Sequence, residues 1–535
     1  LDKHPYERTD GMELHQFSTD VLIIGGGLAG LSAAVEAAGK GLKVSLVSKG
    51  KAGRSGNTVL TQNNISVVWD GLRTDDSVER FIEDTLTGGG NLNDRDLVQA
   101  LATEALEAIT WLMEQGVQFQ KDKDDLLIKG SPGHSRFRIV RAVGVSKSPH
   151  TMGLGLSVPL ADRAKALGVE FMENIVIISL LLDSGRVCGA IGLDKKEAAV
   201  CIVHAGSVVL AGGGAGGLFQ LSTNARDVCG DSYALGYQAG ATLRDMEFIQ
   251  FHPAVTVATP RLVISTSPFA DGAVLRNRLG EAYMVRYSPQ ADMATRDVMA
   301  RANFKEIAEG RGTDRGGVYV DFSAVPVEVM TKNYQDIWTA FQGAKMIEVA
   351  PAQHFMLGGI VIDPQCRSTV PGLWVCGEAA GGLHGANRLA GNALTEAALF
   401  GRRAGRWAAA ECVQPKSRVL SRLFMEEFLE TRFGQWVSTE LSLSLEVSSS
   451  WSETQQDLKC SMGLYVGVIR SKKGLQQAKA DLSNIADRLN SQPLRTYGDL
   501  LQYCQQKMMV ITSNLIVDAA WQRSTSIGSH YREDR

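Results

Sequence analysis

Gly25, Gly27 and Gly30 follow the short apolar run Asp20-Val21-Leu22-Ile23-Ile24 and precede the helix-forming stretch LSAAVEAAGKG, after which a second apolar run extends from Leu42 to Val47. The order is strand, glycine turn, helix, strand, compressed into about 30 residues with G-x-G-x-x-G spacing. Glycines in such a turn let the backbone approach a pyrophosphate, and the helix N-terminus behind it attracts the negative charge. An isolated glycine motif carries little weight; in this context it points to dinucleotide binding rather than an ordinary turn. The carboxylate expected some 20 positions on to hold a ribose hydroxyl is missing, because the second strand ends in Ser48-Lys49. That counts against a plain NAD dehydrogenase.

Two further glycine clusters close apolar strands downstream, Ser207 to Gly214 and Gly372 to Glu378. One dinucleotide turn needs only the first cluster. Three glycine-terminated strands fit a longer resident cofactor lying across a sheet, and FAD suits that description better than NAD. The composition agrees: 56 of 535 residues are glycine, about a tenth against a typical ~7%, without any collagen-like period.

The remaining bulk properties exclude more than they assign. There are 55 Lys+Arg against 58 Asp+Glu, a formal charge of −3, so the chain has no basic footprint for nucleic acid. Its length accommodates about three domains. The eight cysteines are scattered without a C-x-x-C pair, so neither a disulfide framework nor a metal or iron–sulfur site reads from their spacing. The N-terminal residues lack the apolar core of a signal peptide. The longest apolar run, Ile175 to Leu182, is far short of the ~20 residues of a membrane span. The expectation is a cytoplasmic protein with no direct membrane insertion. From residue 416 onward glycine thins out, and Leu475, Ala478, Leu482, Ile485, Ala486 and Leu489 recur at helical spacing, with another helical run from Tyr497 to Trp521. Such a stripe packs in a helical bundle.

Beyond the glycine turn VLIIGGGLAGLSAA, the chain carries SLVSK, GRSGNTVLTQ, DMEFIQFHP, ATRDVMAR, QHFMLGGIVID, GLWVCGEAAGGLHGANRLAGNALTEAALFGRRAG and QRSTSIGSHYRED. With these motifs it resembles the flavoprotein subunits of fumarate reductase and succinate dehydrogenase, together with L-aspartate oxidase. The resemblance implies an α/β fold: a glutathione-reductase-like, FAD-binding Rossmann domain in two segments, residues 12–245 and 350–415. It also implies an inserted α+β capping domain at 246–349 and a C-terminal helical domain at 416–535. It places FAD against Gly25, Gly27, Gly30, Ser48, Lys49, Ser55, Asn57, Thr58, Asp231, Glu378, Ala393 and Leu394. Membrane-complex relatives attach the flavin through the histidine of an R-S-H-T motif. Asn57 stands there, in Arg54-Ser55-Gly56-Asn57-Thr58, and the expectation is non-covalent FAD.

Enzymes of this family interconvert a C–C single and double bond beside carboxylates, with hydride transfer at flavin N5 and proton transfer at the neighbouring carbon. By motif, His252 and His354 would hydrogen-bond substrate carboxylates, Arg388 would grip one as a bidentate fork, and Arg296 would transfer the proton. No metal is implied. One segment departs from the family pattern T-E-x-x-R-G-E-G-G: it reads Ser265-Thr266-Ser267-Pro268-Phe269-Ala270-Asp271-Gly272-Ala273. Ser265 keeps a hydroxyl, but Thr266 and Phe269 replace the glutamate and arginine that relay protons. Threonine and phenylalanine are poor proton carriers. Two readings remain open: reprotonation of Arg296 by another route, through Asp271 or water, or a substrate with one carboxylate fewer or an apolar tail.

The leading expectation is an FAD-dependent oxidoreductase that reduces or desaturates a C–C bond of a small carboxylic acid. Lacking a cysteine cluster, it would exchange electrons with an external partner such as an iron–sulfur protein. The alternatives are an amino-acid oxidase resembling L-aspartate oxidase, and an electron-relay flavoprotein subunit with a degenerate substrate site. The sequence leaves oligomerisation open.

Overall fold

The computed structural model describes residues 8–9, 12–69, 75–131, 133–144, 151–265, 267–413 and 437–534. The first unit of the chain is β1 (Met12–Ile24), α1 (Leu28–Ala38) and β2 (Val44–Ser48). Val21 to Ile24 are buried and pair in parallel with Val44 to Val47. The strand begins at Met12 rather than at Asp20, because the polar lead-in pairs with Ala199 to Ala205 in the ladder of a neighbouring strand. Backbone pairing, which has no side-chain signature, extends the element.

The chain returns to this sheet with β3 (Glu170–Glu173), the meander β4 (Ile175–Asp183) and β5 (Arg186–Asp194), and β6 (Ala199–Leu210). The resulting order is β3-β2-β1-β6-β5-β4 within an eight-stranded sheet. Strands β3, β2, β1 and β6 run parallel, and β5 and β4 continue antiparallel. All twelve residues of β6 are buried, as in a strand covered on both faces. Helix α2 (Asp231–Gln238) follows.

Next comes a separate four-stranded antiparallel sheet built from β7 (Ile249–Thr256), β8 (Val274–Arg276), β9 (Val318–Asp321) and β10 (Met346–Met356), in the order β7-β10-β9-β8. Helix α3 (Arg296–Glu306) lies between β8 and β9 in the chain and is tied to β7 by Asn303 Nδ2, which donates to Pro253 O at 2.9 Å. This sheet has its own apolar cluster, with Ala254, Ile264, Met299, Val318, Val320 and Val349 among its members.

Strand β11 (Leu373–Val375) then pairs in parallel with the end of β6, and α4 (Asn392–Ala410) follows. The last part of the chain holds α5 (Ser449–Tyr465), α6 (Lys472–Ser491) and α7 (Tyr497–Gln522). Leu475, Ala478, Leu482, Ile485 and Leu489 of the expected stripe are buried, and Ala486 is half-buried against the same core. A capping box between Thr496 and Asp499 starts α7, a contribution of about 1 kcal/mol. Among the described residues no helix is long and apolar enough to cross a membrane.

Candidate active site

The cofactor cradle forms where the parallel strands end. Gly25 has φ +122°, and a Cβ there would run into Ala211 O; a Cβ on Gly30 would overlap Gly25 O. Both positions require glycine, one for its backbone angle and both for close approach. Gly27 is the N-cap of α1 and offers no capping side chain; Thr58 Oγ1 accepts the Leu28 N–H at 2.9 Å instead. Ala393 and Leu394 lie in the first turn of α4, whose N-cap is Gly391, again without a capping side chain. Two helix N-termini therefore present backbone donors suited to a phosphate or another acceptor.

Lys49, at the end of β2, forms an ion pair with Asp231, the first residue of α2, and donates to Asp227 O at 3.2 Å. Asp231 Oδ1 is buried and has no hydrogen-bond partner, an acceptor suited to a ribose hydroxyl. Ser48 and Ser55 are engaged locally, Ser48 Oγ donating to Gly50 O and Ser55 Oγ to Lys51 O, each at 2.7 Å. Glu378 follows β11 and accepts from Met356 N at 2.9 Å and from Asn57 Nδ2 at 3.3 Å. Burial raises its carboxyl to about 7. Orphaned acceptor, glycine approach and helix ends with glycine N-caps together fit an FAD molecule.

Four groups of the expected substrate site come together from four elements of the chain. His252 on β7 and His354 on β10 face each other across the strand pair, with ring centroids 5.7 Å apart in an edge-on arrangement. A register shift between His252 and Val255 interrupts the ladder there; such irregularities re-aim side chains. Arg296 is the first residue of α3, and its Nε is buried without a partner. Arg388 is 8% exposed on the glycine-rich loop before α4. Its guanidinium lies 4.6 Å from the Phe355 ring and donates to Gln250 Oε1 at 2.7 Å, leaving Nε buried and unpaired. The loop is held on both sides, Ala386 N donating to Gly89 O at 2.8 Å and Ser529 N to Ala386 O at 2.9 Å.

Burial is the largest cause of every shift here. It pushes His354 down to about 3, helped by Arg388 and Arg296, and holds His252 far below the usual histidine range, helped by Arg296 and His354. Arg388 falls to about 10 through burial and the Arg296 charge, and burial alone lowers Arg296. The site is thus two neutral imidazoles and two desolvated guanidiniums. The carboxylates that act on Arg388 are Glu378 and Glu396. Both are engaged elsewhere, Glu396 with His384 Nε2 at 2.9 Å.

The divergent segment resolves differently from its expectation. Thr266 lies outside the described residues. Phe269 is 6% exposed and belongs to the apolar cluster of the second sheet, so its ring is core rather than an apolar lining for a substrate tail. Asp271 is exposed and accepts from Tyr334 Oη at 2.6 Å; among the described residues it forms no ion pair with Arg296. Ser265 is half-buried, next to Ile264, whose N–H donates to Ala254 O at 2.9 Å beside the β7 histidine.

Several residues without an expected role sit in the same network. Thr223 Oγ1 is 2.8 Å from His354 Nδ1, and Asn224 Nδ2 donates to His354 O at 2.9 Å. Gln250 braces Arg388, and Phe355 stacks under it. The one available signal is position: Gln250 and Phe355 lie within or next to the histidine motifs. Thr223 and Asn224 carry none.

Residues 20–394 match the FAD binding domain family, and residues 455–535 match the fumarate reductase flavoprotein C-terminal family. The chain is 35% identical to a subunit of the CoM/CoB fumarate reductase of Methanothermobacter marburgensis, over 98% of this chain and 95% of that protein. It is 31% identical to the L-aspartate oxidase of Pseudomonas aeruginosa, over 97% and 96% respectively. Mycobacterium smegmatis Sdh1, solved in complex with UQ1, is similar with a TM-score of 0.85 at 30% identity, over 97% of this chain and 89% of that one. The FrdA protein of E. coli quinol fumarate reductase gives a TM-score of 0.84 at 25% identity, over 97% and 92%.

Proposed function

The chain belongs to the FAD-dependent flavoprotein family of fumarate reductase and succinate dehydrogenase, and from that premise we propose that it interconverts the C–C single and double bond of a small dicarboxylic acid. The observation that carries this reading is the donor set. His252, His354, Arg296 and Arg388 act on one another electrostatically, and both guanidinium Nε atoms are buried without partners. Arg388 Nε, left unpaired while Nη2 binds Gln250, suits one substrate carboxylate, the neutral imidazoles suit the other, and Arg296 is left for the proton. An amino-acid substrate would also need an acceptor for its ammonium group, whereas these four groups are cationic or neutral donors, which favours the C–C reading over amino-acid oxidation.

FAD, held by the glycine turn, Lys49, Asp231, Glu378 and the first turn of α4, supplies the hydride chemistry when bound. The chain's own residues do the rest. Arg388 grips one carboxylate and is held in place by Phe355 and Gln250. The two histidines orient the substrate and exclude water from it. Arg296, desolvated at a helix N-terminus where its charge is further disfavoured, gives up a proton to the carbon next to the hydride-accepting one, and recovers it in the reverse direction. Arg296 has no carboxylate partner among the described residues, so its proton returns through a hydroxyl or water rather than an acidic relay.

The separate apolar cluster of the second sheet supports a capping domain at 246–349; the FAD-binding domain at 12–245 and 350–415 and the helical domain at 416–535 are proposed with it, their buried residues belonging to one shared core. The scattered cysteines support an external electron partner, such as an iron–sulfur protein, in the cytoplasm. The test is anaerobic: photoreduce the FAD-loaded protein and screen fumarate, mesaconate, crotonate and aspartate-derived imines for reoxidation. Rapid reoxidation by a dicarboxylic alkene is expected. A flavin reoxidised by none of them would leave electron relay as the function. Peroxide formation with aspartate in air would establish the oxidase instead.

A further inference from the structure

We propose that Thr223 is a positioning residue that holds His354 as the tautomer with its proton on Nε2, so that both site histidines present N–H to a substrate carboxylate. The inference rests on the carboxylate reading above for its purpose, but not for its geometry.

The segment around Thr223 is zipped onto the end of β10. Thr223 N donates to Gln353 O at 2.9 Å, Ser222 Oγ to Gln353 Oε1 at 2.7 Å, and Asn224 Nδ2 to His354 O at 2.9 Å. These bonds fix the threonine hydroxyl 2.8 Å from His354 Nδ1. A hydroxyl has a single proton to give. Its other acceptor, Gln353 O, is 3.4 Å away, while Asn224 Nδ2 approaches Thr223 Oγ1 at 3.4 Å as a donor. Nδ1, at 2.8 Å, is the nearer of the two acceptors, and the proton is assigned to it rather than to Gln353 O. His252 reaches the same state by a different device: Ala254 N–H points at its Nδ1 at 3.3 Å, and a main-chain N–H can only donate.

Burial and the two guanidiniums keep both rings neutral. A neutral imidazole that accepts at Nδ1 must donate at Nε2. Without the hydroxyl, His354 is free to carry its proton on Nδ1 and would turn a lone pair toward a carboxylate.

The experiment uses FAD-loaded protein with 15N-labelled histidine, malonate as a non-reacting dicarboxylate probe, and the variants Thr223→Val and Thr223→Ser. The His354 signal is assigned by its loss in His354→Asn. Wild type should show His354 protonated on Nε2. Thr223→Val should lose that tautomer and bind malonate roughly tenfold more weakly, and Thr223→Ser should restore both. Protonation of His354 on Nδ1 in the wild type overturns the proposal, as does a Thr223→Val protein with unchanged tautomer and affinity. If Thr223→Val fails to fold, Thr223→Ala, which also lacks the hydroxyl, takes its place with the same two outcomes. A tautomer lost with the hydroxyl but no malonate binding by the wild type supports the positioning role and sinks the carboxylate reading instead.

Discussion

Asn57 and Asn224 are joined side chain to side chain, Asn57 Nδ2 donating to Asn224 Oδ1 at 2.8 Å. Asn57 Oδ1 in turn accepts from Ala225 N at 2.9 Å, and its Nδ2 also reaches Glu378 Oε2 at 3.3 Å. Both ends of the amide are thus occupied. One side chain ties Glu378 to the segment that braces His354.

Because an amide forms no bond to a flavin, acid precipitation should release all FAD into the supernatant. Flavin retained by the pellet would refute non-covalent binding. Asn57→Ala should weaken FAD binding roughly tenfold by leaving half-buried groups unpaired, read by equilibrium dialysis against the wild type.

Gly30→Ala tests the close approach at the glycine turn. Its Cβ would overlap Gly25 O, which forces α1 off the end of β1. The purified variant should keep its far-ultraviolet circular dichroism but carry little or no FAD. A normal flavin content would show that the turn has room to spare.

Arg388 should not tolerate lysine. A lysine keeps the charge but loses the fork and the guanidinium's contact over the Phe355 ring. Arg388→Lys and Arg388→Gln should both lower kcat/KM by about 10²–10³ at unchanged FAD content. Activity of Arg388→Lys within a few-fold of wild type would remove the bidentate role.

His354 sets a pH signature of stability. Its folded value is about 3, below the ~6.5 of an unfolded histidine, so between these values the unfolded chain binds the extra proton. The ligand-free protein therefore loses stability as pH falls from about 6.5, by about 2 kcal/mol at pH 5 from this group. His354→Asn should show a shallower acid limb in thermal unfolding measured across that range; parallel limbs would contradict the assignment.

Phe269→Arg should not restore a proton relay. Phe269 packs in the apolar cluster of the second sheet, and a buried unpaired charge there costs several kcal/mol. The expected result is a lowered unfolding temperature without any gain in turnover. A stable variant with raised fumarate-reducing activity would place the side chain at the site after all.

What is legible in the sequence is local. The glycine turn, the buried parallel strands and the stripe from Leu475 to Leu489 follow from backbone conformation and side-chain period, which a few neighbouring residues determine. The motif residues His252, Arg296, His354 and Arg388 can be named, since each lies in a distinctive string. Their relation to one another cannot. The T-shaped pair of histidines depends on the β7–β10 register and its irregularity after His252. The lowered imidazole and guanidinium values depend on how much water the fold removes. Lys49 meets Asp231 and Asn57 meets Asn224 only because distant segments converge at the ends of the parallel strands. Phe269 departs from expectation for the same reason: an aromatic residue in a wall motif and one in a core have the same letter, and only packing around it decides which it is.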